Sequence, residues 1–270
     1  MSPRNGWGHQ VSDDVFMAVA EKTAKTPLPP EQAVEIKNEA AVPVPPEDKM
    51  IEMDIYGRIG PDTVKPFVKA LGPSIKDDDR HRVIVNLISP GGSVSSAFHI
   101  IGLMEAWPED VVAISGSQNC SASTMISAAA NLRLAYSNAR FMIHDMKGMN
   151  DGSIVEQEER LRSHKDQRQA YAELFMDHIG LTKKEFERLM ARDHWFNASE
   201  AMHLGTKGLI DGIILKNLGR YKFQIMMREG IVKVVDLHKD DFIQIRDTVA
   251  DKVKAMDAAE SVRKDDAATE

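Results

Sequence analysis

The chain has 270 residues, 43% apolar and 28% charged, which suits a globular protein with one large or two small domains and a sizeable core. A net charge of −7 without a dense Lys/Arg cluster argues against a nucleic-acid surface. Apolar runs such as 100–104 and 125–130 stop well short of the roughly 20 residues that cross a bilayer. Residues 1–10 have no apolar leader core, so a soluble protein with no membrane partner is expected. The single cysteine, Cys120, excludes a disulfide framework and points to a reducing, cytoplasmic compartment. Nine histidines are scattered without H-E-x-x-H or a cysteine pair, so neither a metal nor another cofactor is expected.

Pro27, Pro29, Pro30, Pro43, Pro45 and Pro46 bracket an aperiodic stretch, and no proline follows Pro108. Residues 1–49 therefore read as an arm and linker, with a short amphipathic helix within 12–25 carrying Val15, Phe16, Val19 and Ala20 on one face. From Met50 the pattern predicts a strand at 51–56, a helix at 62–71, a strand at 82–87, a helix at 94–106, a strand at 111–115 and a small-residue helix from Ser121 to Ala130. Strands alternating with helices at this spacing imply α/β architecture with parallel pairing and right-handed crossovers. A strand at 140–144 follows, then a long helix at 154–178. That helix is mostly charged in its first half, with Ala170, Tyr171, Leu174, Phe175 and His178 as an apolar stripe in its second. Part of it is expected to project, and the stripe is expected to lack partners inside one subunit. Helices at 181–190 and 198–204, the latter capped by Asn197 with Glu200 three residues on, precede a hairpin at 220–237 turning at Glu229-Gly230. A charged helix from Asp240 ends in a polar tail.

Four segments carry chemistry, each with a plainer structural reading beside the functional one. Ser89-Pro90-Gly91-Gly92-Ser93 is a tight strand-to-helix turn, or a loop whose N–H groups face an oxyanion. Gly116 to Ser123 ends at a helix N-terminus, where a serine is either an N-cap or a nucleophile favoured by the helix dipole. Arg140 to His144 is a strand ending in a histidine, which alone is a satisfied polar group and in context a base. Arg192-Asp193-His194-Trp195-Phe196 places an acid beside two rings that would shield it, or simply in a surface ion pair. The G-x-S-x-G elbow of α/β-hydrolases is missing.

Together these segments resemble the Clp protease proteolytic subunit family, and in pattern its phage relatives, the Clp-like head-maturation proteases. The resemblance runs from about Ile51 to Ile214. Its motifs are Ile55-Tyr56-Gly57-Arg58-Ile59-Gly60, Ser89-Pro90-Gly91-Gly92-Ser93, Met142-Ile143-His144, Trp195-Phe196-Asn197-Ala198-Ser199-Glu200-Ala201, Leu204-Gly205 and Gly208-Leu209-Ile210-Asp211. It implies a crotonase-like (ClpP) fold of stacked parallel strands and flanking helices with a projecting handle helix. Residues 50–217 would form the peptidase domain, and 218–270 a hairpin with a charged helical tail.

The resemblance further implies Ser121 as nucleophile, His144, 23 positions on, as general base, and Asp193 as the residue that orients the imidazole. Backbone N–H groups of Gly92 and Ala122 would form the oxyanion hole. The adjacent Cys120 is expected to pack behind the site. Departures from the family pattern are Asn119 and Cys120 in place of small residues, Ser117 in place of glycine, and Ala191 in place of an acid. The first three are expected to narrow or impair the pocket. The implied partners are other copies of the chain in a ring, with ring stacking as its extension, and protein or peptide substrates. An AAA+ unfoldase, or capsid and scaffold proteins in a host procapsid, would complete the set according to branch. Two alternatives stay open: a catalytically silent structural or regulatory subunit, and a serine/lysine peptidase with Lys147 as base.

Overall fold

The computed structural model describes residues 50–72, 81–148 and 152–238. The expected helix in 12–25 and the charged helix from Asp240 lie outside them. Strand β1 (Ile51–Tyr56) is followed by α1 (Pro61–Leu71), β2 (Val83–Ser89), α2 (Val94–Glu105), β3 (Val111–Cys120), α3 (Ala122–Ala129), β4 (Leu132–Tyr136) and β5 (Arg140–Ile143). Next come α4 (Ile154–Ile179), α5 (Lys183–Met190), β6 (His194–Asn197), α6 (Ala198–Met202), β7 (Gly212–Gly219), β8 (Lys222–Met227) and β9 (Val232–Asp236). The strands join in the order β1-β2-β3-β4-β7-β8-β9. Pairing is parallel as far as β7 and antiparallel beyond it.

Three strands went unread in the sequence. β4 carries Arg133 in its middle, a residue that looks like a surface position. Its side chain is instead buried, bonded to Asp211 and to the carbonyls of His178, Lys207 and Gly208. β6 is only four residues long, and β7 is interrupted by register shifts between Ile214 and Lys216 and between Asn217 and Gly219, which break the period-2 pattern. The strand expected at 111–115 runs on to Cys120. Its first half pairs with β4 and its last three residues with β5. Gly116 marks the changeover, since a Cβ there would stand 2.5 Å from Ile88 Cγ1.

Alternation places the two faces of the central strands in different cores. Val83 and Val85 of β2 face the helices, while Ile84 joins Val112, Ile114, Leu132 and Leu134 on the opposite face. There β8, β9 and Leu237 supply Phe223, Ile225, Met227 and Val235 as the cover. The hairpin thus takes part in the main sheet.

The expected apolar stripe of the long helix is corrected by its partners. Tyr171 meets Phe175 and Phe186 edge-on at ring-centroid distances of 4.6 and 5.4 Å. Tyr171, Ala172, Leu174, Phe175 and Ile179 are therefore buried within one subunit, because α5 folds back against α4 after Gly180 (φ +74°). The exposed apolar residues of α4 are Ile154, Val155 and Leu161, all in its first half. α5 begins at Lys183, since Thr182 and Glu185 form a capping box.

The Arg133–Asp211 pair has both side chains 8% exposed. Asp211→Ala leaves the guanidinium buried without its counter-charge and should cost about 3–5 kcal/mol. The paired replacement Arg133→Met with Asp211→Leu should cost much less. Urea denaturation followed by fluorescence checks both.

Candidate active site

The strand-to-helix transition between β3 and α3 is made by one residue, Ser121, with φ 55° and ψ −129°. A non-glycine residue in this region carries about 1–3 kcal/mol of strain, and such residues concentrate at functional sites. It is held by its neighbours: Ser121 N–H donates to Met142 O of β5 at 2.7 Å, and its carbonyl accepts from Thr124 N at 2.9 Å. Ser121 stands at the N-cap position, yet its side chain makes no capping bond. Instead its hydroxyl oxygen lies 2.7 Å from His144 Nε2, at hydrogen-bond distance.

His144 follows directly from β5, which is pinned between β3 and β6. In the tautomer that lets Nε2 accept from the hydroxyl, the ring proton sits on Nδ1. That nitrogen lies 3.6 Å from Asp193 Oδ1, too far for a hydrogen bond, and is buried without a partner among the described residues. Asp193 is half exposed, and the same oxygen lies 3.8 Å from Lys147 Nζ. The expected shielding of Asp193 by two rings does not occur, because β6 alternates: Phe196 is buried, while Trp195 points to solvent. Burial pushes the His144 pKa down and the Lys147 charge adds to the effect, against opposing pulls from Asp193 and Asp145. The imidazole is thus neutral at pH 7 and able to accept a proton.

The glycine loop stands against this pair. Gly91 has φ +89°, and a Cβ there would lie 2.5 Å from Cys120 O and 2.6 Å from Ser121 Cβ. Ile59 N–H donates to Gly91 O at 2.9 Å and Ser93 N–H to Ile59 O at 3.0 Å, so the loop is zipped to the segment after β1. Gly92 and Ala122 both line a cavity of about 700 Å³ together with Ser121 and His144. As the first residue of α3, Ala122 has an N–H without an intrahelical acceptor. Met125, Met146 and Tyr171 line the cavity too, as do Gln167 and His164 of α4 and the cations Arg58 and Lys147.

Ser121, His144, Gly92 and Ala122 therefore meet in one cavity, with Asp193 at the outer end of the imidazole. Cys120 is fully buried as expected, and burial pushes its thiol pKa up. Ser117, Asn119 and Cys120, expected to narrow or impair the pocket, do not narrow it, because none of the three lines it. Asn119 and Cys120 turn inward from the end of β3 and are buried. Sequence reading missed the second layer of the site. Arg168 of α4 bonds both Asp145, next to His144, and Glu187 of α5, which ties the histidine segment to the helix preceding Asp193. Nothing in the sequence sets Arg168 apart from Arg160, Arg162 and Lys165 of the same helix. Among the described residues, no cluster of His, Cys, Asp or Glu could hold a metal ion, and no helix is long and apolar enough to cross a membrane.

A family model described as Clp protease matches residues 49–217, more than half of the chain. The chain belongs to the Clp protease family. The mostly parallel sheet, the flanking helices and the long α4 are those of a Clp protease domain, and peptide-bond hydrolysis is the activity that membership brings with it. Strands β8 and β9 lie beyond the matched segment yet continue its sheet.

Depression of the His144 pKa makes the neutral base available at lower pH. The acid limb of kcat/KM is therefore expected below the ordinary histidine value of about 6.5. Lys147→Met, which removes a charge that lowers this pKa, should move the limb upward. Both follow from pH-rate profiles on a small peptide substrate.

Proposed function

We propose that this Clp-family chain is a serine endopeptidase in which Ser121 is the nucleophile, His144 the general base and Asp193 its orienting acid. The observation that carries the reading is the 2.7 Å bond from the Ser121 hydroxyl to His144 Nε2 at a strained, cavity-lining turn. In the first step Ser121 Oγ attacks the scissile carbonyl carbon while its proton passes to Nε2. The carbonyl oxygen becomes an oxyanion facing the N–H groups of Gly92 and Ala122, each worth about 3 kcal/mol in the transition state. His144 then returns the proton to the leaving amine, which departs and leaves an acyl-serine. Water, deprotonated by the same imidazole, releases the second product. Asp193 stabilises the imidazolium through Nδ1–H, which requires its 3.6 Å gap to close and its contact with Lys147 to loosen.

Ring assembly of this chain is part of the proposal. The family forms homo-oligomeric rings, and Ile154, Val155 and Leu161 on the outer half of α4 offer an apolar strip to a facing copy. The Trp195-Phe196 segment and the ungapped spacing between Ser121 and His144 favour the phage branch, with capsid or scaffold proteins as substrates in a procapsid. The open His144–Asp193 gap favours one second reading, a catalytically silent subunit, and labelling by an active-site serine probe separates the two.

Fluorophosphonate should label the wild type and Cys120→Ala but not Ser121→Ala, with turnover following the same pattern. Inactivation by iodoacetamide together with a dead Cys120→Ala would overturn the assignment in favour of a cysteine enzyme. Light scattering at micromolar concentration should give a species several times 30.1 kDa; a monomer alone would refute the ring.

A further inference from the structure

Four buried polar side chains stand behind the turn at Ser121, and peptide-bond chemistry as written above uses none of them. Ser89, Asn119 and Ser123 are wholly buried and Ser115 is 1% exposed. Asn119 Nδ2 donates to Ser115 Oγ at 2.8 Å, which orients the amide so that Oδ1 faces Ser123 Oγ at 2.5 Å. The Ser123 hydroxyl also lies 3.0 Å from Cys120 O and 3.3 Å from Ser89 O. Ser89 Oγ accepts from Gly91 N–H at 3.0 Å and donates to Gly57 O at 2.6 Å. Ser123 has one proton for its three acceptors and gives it to the nearest, Asn119 Oδ1, while its oxygen stands in contact with Ser89 O; the cluster thus runs from the middle of β3, across the start of α3, to Ser89 beside the glycine loop and on to the end of β1.

Its position is what gives it meaning. Asn119 stands two residues before the strained Ser121 and Ser123 two residues after it, so their bond spans the turn like a strut. Resting on the reading of Ser121 as nucleophile, we propose that Asn119 and Ser123 are positioning residues that brace the Ser121 turn against the Gly91-Gly92 loop. Two small apolar residues would fill the same space; a buried polar pair persists only when bonded. Here the Asn119–Ser123 bond, the contact of Ser123 with Ser89 and the Gly91 N–H bond to Ser89 Oγ join the segment carrying the hydroxyl to the loop carrying an oxyanion donor. Relative placement of those two groups governs transition-state stabilisation and leaves substrate binding in the rest of the cavity alone. Neither side chain touches the reacting atoms.

The test compares wild type, Asn119→Ala, Ser123→Ala and the double variant by kcat, KM, the second-order rate of fluorophosphonate labelling and thermal midpoint. Each single change should lower kcat and the labelling rate about ten- to hundredfold, the scale of a misplacement near 1 Å, with KM within about twofold. Because the two act through one bond, the double variant should lose little more than the worse single. Ser123→Ala removes a single oxygen and carries the test if Asn119→Ala does not fold. Labelling and kcat within about twofold of wild type, with only the midpoint lowered, would make the network purely structural and overturn the proposal; so would fully additive losses. A wild type that fluorophosphonate does not label would instead overturn the nucleophile reading, and this proposal with it.

Discussion

One backbone constraint organises the site: β3 must become α3 within a single residue. Ordinary helix starts spread this change over a capping residue and a first turn, but here Ser121 takes it alone at φ 55°. The strain is offset from outside the residue. Met142 O holds its N–H, Thr124 holds its carbonyl, and Gly91 approaches so closely that any side chain there would collide with it. The departure of β3 from β4 makes room for β5 beside its last residues, and β5 delivers His144 at its end. A conventional helix start would aim Ser121 at its own backbone N–H groups, as a cap.

Electrostatics around His144 is a balance between burial and nearby charge. Desolvation and Lys147 both favour the neutral ring, and Asp193 works against them. Under the proposed mechanism the neutral ring is what the resting general base requires, while the imidazolium needs the carboxylate. With Asp193 half exposed and shared with Lys147, the resting geometry favours the first state. Arg168 of α4 bonds Asp145 in the loop next to His144 and Glu187 of α5, which tethers the histidine segment to two packed helices.

The sheet beyond the matched segment has a physical role as well. Central strands such as β2 are apolar on both faces, and helices cover only one. The second face would be open without β8 and β9, whose inward residues and Leu237 close it. Arg82 reaches across to donate to Leu237 O, which ties the beginning of β2 to the residue just after β9.

Local sequence determined much of this protein by itself. The alternation of strands and helices, the capping of α6 by Asn197 and Glu200, the glycine loop and the β8–β9 hairpin were legible, because turn chemistry, capping and periodicity act over a few residues; Ser121, His144, Asp193, Gly92 and Ala122 became candidates through the resemblance to the family's ordered motifs. Other features were decided only by the tertiary structure. Arg133 reads as a surface residue until Asp211, 78 positions away, neutralises it. The last residues of β3 read as a loop until β5 pairs with them. Asn119 looked like an intrusion into the pocket until the strand turned it inward onto Ser123. In each case the deciding partner is distant in sequence or lies across a bend, and burial of a polar group is settled by that partner alone.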